Sequence, residues 1–176
     1  MPSNASETHG LVAIGFGLGS NIGDKPANIR QALALLGERG VATLTAVSSI
    51  YRTPPWGYLE QESFANACAL GRTALNPAAL LAAVKAIEAD MGREEAMRWG
   101  PRLIDIDILF YGDMPLTTPD LVLPHKELFN RAFVLVPLAE IAPELKLGGR
   151  SIVDAAKAHD AEPIERWDDA STGRRN

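Results

Sequence analysis

A single cysteine, Cys68, leaves this 176-residue chain no internal disulfide to form, and no Cys/His grouping has zinc-ligand spacing. Cys68 stands in the apolar run Ala65-Asn66-Ala67-Cys68-Ala69-Leu70, which favours a small buried residue over a nucleophile. Long hydrophobic runs are also missing; none approaches the roughly 20 residues that span a bilayer. The polar start, residues 1–9, lacks the charged and apolar regions of a signal peptide, so a cytoplasmic protein is expected. Nor is there an excess of positive charge. The 17 basic and 22 acidic residues leave a net charge of −5, which argues against a general nucleic-acid binder. A small anionic ligand is still compatible, because it responds to local charge and the arginines are clustered. Finally, the glycines at 15, 17, 19 and 23 miss the dinucleotide spacing and no Gly-Lys-Ser/Thr follows. Neither a Rossmann fingerprint nor a Walker loop is present, so side chains elsewhere would have to hold a nucleotide.

What is present reads as one domain over residues 10–161, with polar tails at 1–9 and 162–176. Residues 11–18 form an apolar run suited to a buried strand. Asp24 is a candidate cap, with Pro26 near the first turn and Ile29, Leu33 and Leu36 at helical spacing. Residues 41–51 look like a strand ended by Thr53-Pro54-Pro55, and residues 64–70 like another. Asn76 caps a second helix, with Pro77 in its first position and Leu80, Leu81, Val84, Ile87 and Met91 on one face. In the strand 103–111, alternation puts Ile104, Ile106, Ile108 and Phe110 on one side and Leu103, Asp105, Asp107 and Leu109 on the other. Helices are expected near 132–140 and, more weakly, 151–158. The fold class is therefore α/β (α+β): a ferredoxin-like β-α-β-β-α-β antiparallel sheet with helices on its face and C-terminal helical additions.

Asp105 and Asp107 share one strand face about 6.6 Å apart along the chain. Such a pair suits a hard divalent cation that also takes substrate phosphates, though exposed acidic residues on a solvated sheet face look the same. Arg93, Arg98 and Arg102 bracket Trp99 just upstream. Guanidinium forks match phosphate oxygens, while surface ion pairing with Glu94, Glu95 or the aspartates is the plainer alternative. Trp56, Phe64, Trp99 and Phe133 could stack on a flat heterocycle, although aromatics are more often core. Asn66 offers an amide donor and acceptor, and His125 follows Pro124 in a loop.

These blocks resemble the 6-hydroxymethyl-7,8-dihydropterin pyrophosphokinases over roughly residues 11–147. The likeness runs through Gly19-Ser20-Asn21-Ile22-Gly23-Asp24, Ser49-Ile50-Tyr51-Arg52-Thr53-Pro54-Pro55 and Phe64-Ala65-Asn66-Ala67. It is strongest in Arg98-Trp99-Gly100-Pro101-Arg102-Leu103-Ile104-Asp105-Ile106-Asp107, and continues through Pro124-His125 and Asn130-Arg131-Ala132-Phe133. The resemblance implies transfer of a diphosphate from ATP to the pterin hydroxymethyl group, in folate synthesis. It implies that Asp105 and Asp107 hold two magnesium ions and that Arg93 and Arg102 serve the transferred group. Glu88, Arg98, Ile108, His125 and Arg131 would lie around ATP. Thr53, Pro54, Trp56, Phe64, Asn66, Trp99 and Phe133 would form the pterin pocket, with the ring between Trp99 and Phe133. A monomer without nucleic-acid or membrane partners is expected.

Three positions depart from the family pattern. Glu95 stands where many members carry a second arginine, Lys126 where an aromatic or proline often follows the histidine, and Leu103 where threonine is usual. Two rival functions follow from the same residues: a non-catalytic nucleotide- or pterin-binding module, and a metal-dependent phosphohydrolase built on Asp105 and Asp107.

Overall fold

The computed structural model describes residues 10–54, 63–92 and 103–167. Strand β1 (Val12–Ser20) is an inner strand of the sheet, and its two faces differ in kind. Ile14, Phe16 and Leu18 are buried in one hydrophobic core, while Gly15, Gly17 and Gly19 alternate with them on the other face. Helix α1 (Lys25–Glu38) follows, started by the Asp24 carboxylate, which accepts from the Ala27 amide at 3.1 Å. Its buried stripe is Ile29, Ala32 and Leu36, and Gly40, at φ +65°, turns the chain out of it.

The segment expected as one strand over 41–51 is two: β2 (Thr43–Val47) and β3 (Tyr51–Thr53). Both pair antiparallel with β4 (Phe64–Thr73), but Val47 faces Ala69 and Tyr51 faces Asn66, so one side carries an extra residue. Ser48 fills the break. Its hydroxyl accepts from the Cys68 amide at 2.9 Å, and its own amide donates to the Cys68 carbonyl. A side chain thus does part of the ladder's work, which a period-two pattern cannot reveal.

Helix α2 (Pro77–Met91) starts at Asn76, which accepts from the Ala79 amide, and buries Leu80, Val84 and Ile87 against the same core as α1. Strand β5 (Asp105–Tyr111) then pairs antiparallel with β1. A bulge shifts the register: Phe16 faces Ile108 while Gly15 faces Phe110. Phe110 therefore does not join Ile104, Ile106 and Ile108, as strict alternation predicts; it packs with Leu109 on the opposite face. Gly15 makes that possible, because a Cβ there would stand 2.4 Å from the Phe110 ring.

A hairpin of β6 (Leu116–Thr117) and β7 (Val122–Leu123) precedes a 3-10 turn over Leu128–Asn130 and helix α3 (Ala132–Ile141). A second hairpin, β8 (Lys146–Leu147) and β9 (Arg150–Ser151), leads into α4 (Ile152–Lys157). α3 and α4 form a second core with Cys68, Leu109 and Phe110, so these C-terminal additions cover the glycine face of the sheet. The antiparallel sheet and helices of the expected fold class are present, with α1 and α2 on one face.

Part of the segment expected as a C-terminal tail is a strand. Within 162–176, β10 (Glu165–Arg166) pairs antiparallel with β3, and the Trp167 amide donates to the Ile50 carbonyl at 2.7 Å. Glu165 and Arg166 are both polar and carry no hydrophobic signal in the sequence.

Candidate active site

The sheet register builds the site as rows. Across three strands, Asn66 on β4, Gly19 on β1 and Asp105 on β5 are neighbours; one step on, so are Cys68, Gly17 and Asp107. An amide and a carboxylate thus stand two strand spacings apart, about 10 Å, with a glycine floor between them. The floor is tight, since a Cβ on Gly19 would lie 3.0 Å from the Asn66 amide oxygen.

Above that floor is a cleft of about 470 Å³. Thr53, Pro54, Phe64 and Asn66 line one end and Asp105 and Asp107 the other, while Arg131, Phe133 and Val134, from the start of α3, form the wall. The buried Asn66 amide nitrogen donates to the Thr53 hydroxyl at 2.7 Å. This bond leaves the Asn66 oxygen as an acceptor and the Thr53 hydroxyl proton as a donor at the same end of the cleft. The Arg131 guanidinium lies 5.6 Å from the Phe133 ring centre and 3.8 Å from an Asp107 oxygen. Both partners of that ion pair are partly exposed, so it orients Arg131 weakly and leaves it available to an anion.

A second cleft, about 220 Å³, lies beyond β5 and is lined by Lys85, Asp107, Ile108, Asp120, His125 and Lys126 among others. Asp107 belongs to both clefts. The Ile108 side chain is buried in the α1/α2 core and borders this cleft. The His125 amide donates to the Leu109 carbonyl, which ties the loop to β5. Its ring nitrogen Nδ1 accepts from the Glu127 amide at 3.2 Å, which puts the proton of the neutral ring on Nε2. Burial pushes the His125 pKa down and nearby Arg131 adds to that, against the opposing pull of Asp107. Glu88, expected near the nucleotide, lines neither cleft; its shielded Oε1 lies 3.2 Å from the ammonium of Lys85, which does border the second. Burial pushes the Glu88 carboxyl up; Lys85 opposes this, and Asp105 and Asp107 add to it.

Of the residues singled out in the sequence, Asp105, Asp107, Thr53, Pro54, Phe64, Asn66, Phe133 and Arg131 meet at the first cleft, and Ile108 and His125 at the second. Arg93, Arg98, Arg102, Trp56 and Trp99 lie outside the described residues, as does Glu95. Gly17, Gly19, Glu127, Asn130 and Lys85 were not singled out as site residues, yet they line the clefts. The glycines did carry a signal: at 15, 17 and 19 they repeat with the period of a strand, which marks a face kept clear of side chains. Cys68 is fully buried, with its thiol pushed up by burial and by Asp107 and Glu140, as befits a packing residue.

Fold and site together define a ferredoxin-like protein with two adjoining clefts, one lined by aromatic rings, the other with basic groups, joined at a carboxylate. The 7,8-dihydro-6-hydroxymethylpterin-pyrophosphokinase family model matches residues 15–143. The 2-amino-4-hydroxy-6-hydroxymethyldihydropteridine pyrophosphokinase of Methylorubrum extorquens is 48% identical over 151 residues, covering 86% of this chain and 96% of that protein. The Bacillus subtilis protein of the same description is 46% identical over 129 residues, covering 73% and 77%. Among solved structures, wild-type Plasmodium falciparum HPPK-DHPS with pteroate has a TM-score of 0.68 at 17% identity, over 85% of this chain and 42% of that one. The present chain thus spans less than half of that protein, and the likeness shows the fold. The chain belongs to the 7,8-dihydro-6-hydroxymethylpterin pyrophosphokinase family.

Proposed function

We propose that the chain moves a diphosphate from ATP to the hydroxymethyl oxygen of 6-hydroxymethyl-7,8-dihydropterin, giving AMP and the pterin diphosphate for folate synthesis. One observation carries this reading beyond the family: Asp107 borders both clefts, so groups bound in each meet at one carboxylate. The Asn66/Thr53 acceptor–donor pair suits the polar edge of a pterin, and Phe133 the face of its ring. A ring anchored there points its far end across Gly19 toward Asp105 and Asp107, where a hydroxymethyl group has to be.

Asp105 and Asp107 fit a hard cation such as magnesium. They are acceptor-only oxygen ligands and, among the described residues, no third His, Cys, Asp or Glu completes a cage, leaving room for phosphate oxygens and water. Two bound magnesium ions would supply neutralisation of phosphate charge. The protein's own part is positioning. Arg131, and by family resemblance Arg93, Arg98 and Arg102, hold phosphate oxygens, while His125 and Lys85 bound the nucleotide's side. The hydroxyl oxygen attacks the β-phosphorus in line and loses its proton to solvent, the bond to the bridging α,β oxygen breaks, and AMP leaves with that oxygen. Alignment and charge neutralisation supply most of the acceleration in such a transfer. Trp56 and Trp99 complete the pterin pocket in this reading. In this reading a single chain is the working unit. Among the described residues no helix is long and apolar enough to cross a membrane.

Incubation with ATP, magnesium and the pterin tests the reaction by mass spectrometry. AMP and pterin diphosphate should form in equal amounts. Phosphate or diphosphate released without pterin would favour a phosphohydrolase, and binding of both ligands without AMP a binding module.

A further inference from the structure

The family match closes at residue 143, yet three residues beyond it bear on the wall of the pterin cleft. β10 pairs with β3, Glu165 facing Arg52 and Arg166 facing Tyr51. β3 ends in Thr53, which takes the hydrogen bond of Asn66. Because β3 has only three residues, its own ladder to β4 is short, and its outer edge is held by β10 and by the Trp167 amide on the Ile50 carbonyl. The Trp167 ring is gripped from two elements: the Arg52 guanidinium lies 4.3 Å from its centre and the Lys25 ammonium 5.9 Å. Lys25 is nearly buried and donates to the Ser63 carbonyl at 2.8 Å, just before β4 carries Phe64 into the cleft. On the inner side Glu140, from α3, accepts from the Tyr51 hydroxyl at 2.6 Å and from the Ser49 amide at 2.7 Å, with Arg166 3.5 Å away.

We infer that the segment Glu165–Trp167 is a strap that positions the Thr53 end of the pterin cleft, with Trp167 as its positioning residue. The inference rests on the pterin assignment of that cleft. An exposed edge strand of three residues frays readily, and a frayed β3 would carry the Thr53 hydroxyl away from Asn66. Nothing in the strap borders the second cleft, so its effect should fall on one substrate only.

The test uses the full chain with Trp167→Ala, Trp167→Phe and Arg166→Ala. Pterin and ATP binding are titrated separately, alongside amide exchange across β3. Trp167→Ala should speed exchange at Arg52 and Thr53 and weaken pterin binding roughly two- to fivefold with ATP binding unchanged, while Trp167→Phe restores most of the loss. Arg166→Ala, which keeps the backbone pairing, should give a smaller shift in the same direction and serves if Trp167→Ala does not fold. Equal weakening of both ligands, or unchanged pterin affinity in both the Trp167→Ala and Arg166→Ala proteins, would overturn the strap. Failure of the wild-type chain to bind pterin would show instead that the cleft assignment is wrong, and the inference would fall with it.

Discussion

The two faces of β1 make opposite use of the same backbone. Ile14, Phe16 and Leu18 bury almost completely between the sheet and α1/α2, whereas Gly15, Gly17 and Gly19 put no side chain on the other face. On the first face stability comes from apolar area and close packing. On the second, absent side chains let Phe110 pack at one end and leave, at the other, a gap between Asn66 and Asp105. Filling and emptying alternate residue by residue, so a core and a cleft share one strand.

Substitutions on each face should separate stability from binding. Phe16→Ala removes a fully buried ring and should cost about 3–5 kcal/mol of stability, read by denaturant unfolding. Activity per folded molecule should change little; a loss of activity without a loss of stability would break the division between faces. Gly19→Ala puts a methyl 3.0 Å from the Asn66 oxygen and should weaken pterin binding by about 1–2 kcal/mol, with ATP binding and melting temperature nearly unchanged. A titration in which pterin affinity stays at the wild-type level would remove Gly19 from the cleft floor.

The smallest effect concerns pH. Burial pushes the Glu140 carboxyl up, but hydrogen bonds from Tyr51 and Ser49, with Arg166 nearby, outweigh it and hold the pKa below the usual carboxylate value. A depressed folded-state pKa contributes stability above the unfolded value and loses it as pH falls through the folded one. The stability gap between wild type and Glu140→Gln should therefore be widest at neutral pH and narrow under acid. A gap that widened on acidification would reverse the assigned sign.

Capped helices and uninterrupted patterns were legible in the sequence. Asp24 with Pro26 and Asn76 with Pro77 start α1 and α2 where their residue types predict, and the Asp105/Asp107 alternation survives intact. The misses share a cause: local sequence does not encode what a distant partner supplies. The β5 bulge turns Phe110 to the other face because Gly15, some 95 positions earlier, gives it room. The Ser48 break depends on Cys68, and β10 exists only because β3 has a free edge to pair with. At the site, Asn66, Phe64, Phe133 and the acidic pair stood out by residue type. Glu127, Asn130 and Lys85 did not, since a lone charged or amide residue in a turn or on a helix looks like ordinary surface until the fold brings a cleft to it.

If Asp107 serves both clefts at once, turnover at saturating magnesium should collapse in Asp107→Ala. The rate should fall by roughly a thousandfold, reflecting several kcal/mol of lost charge stabilisation, with pterin affinity measured alone changing little. Near wild-type turnover would move the chemistry away from the junction of the two clefts.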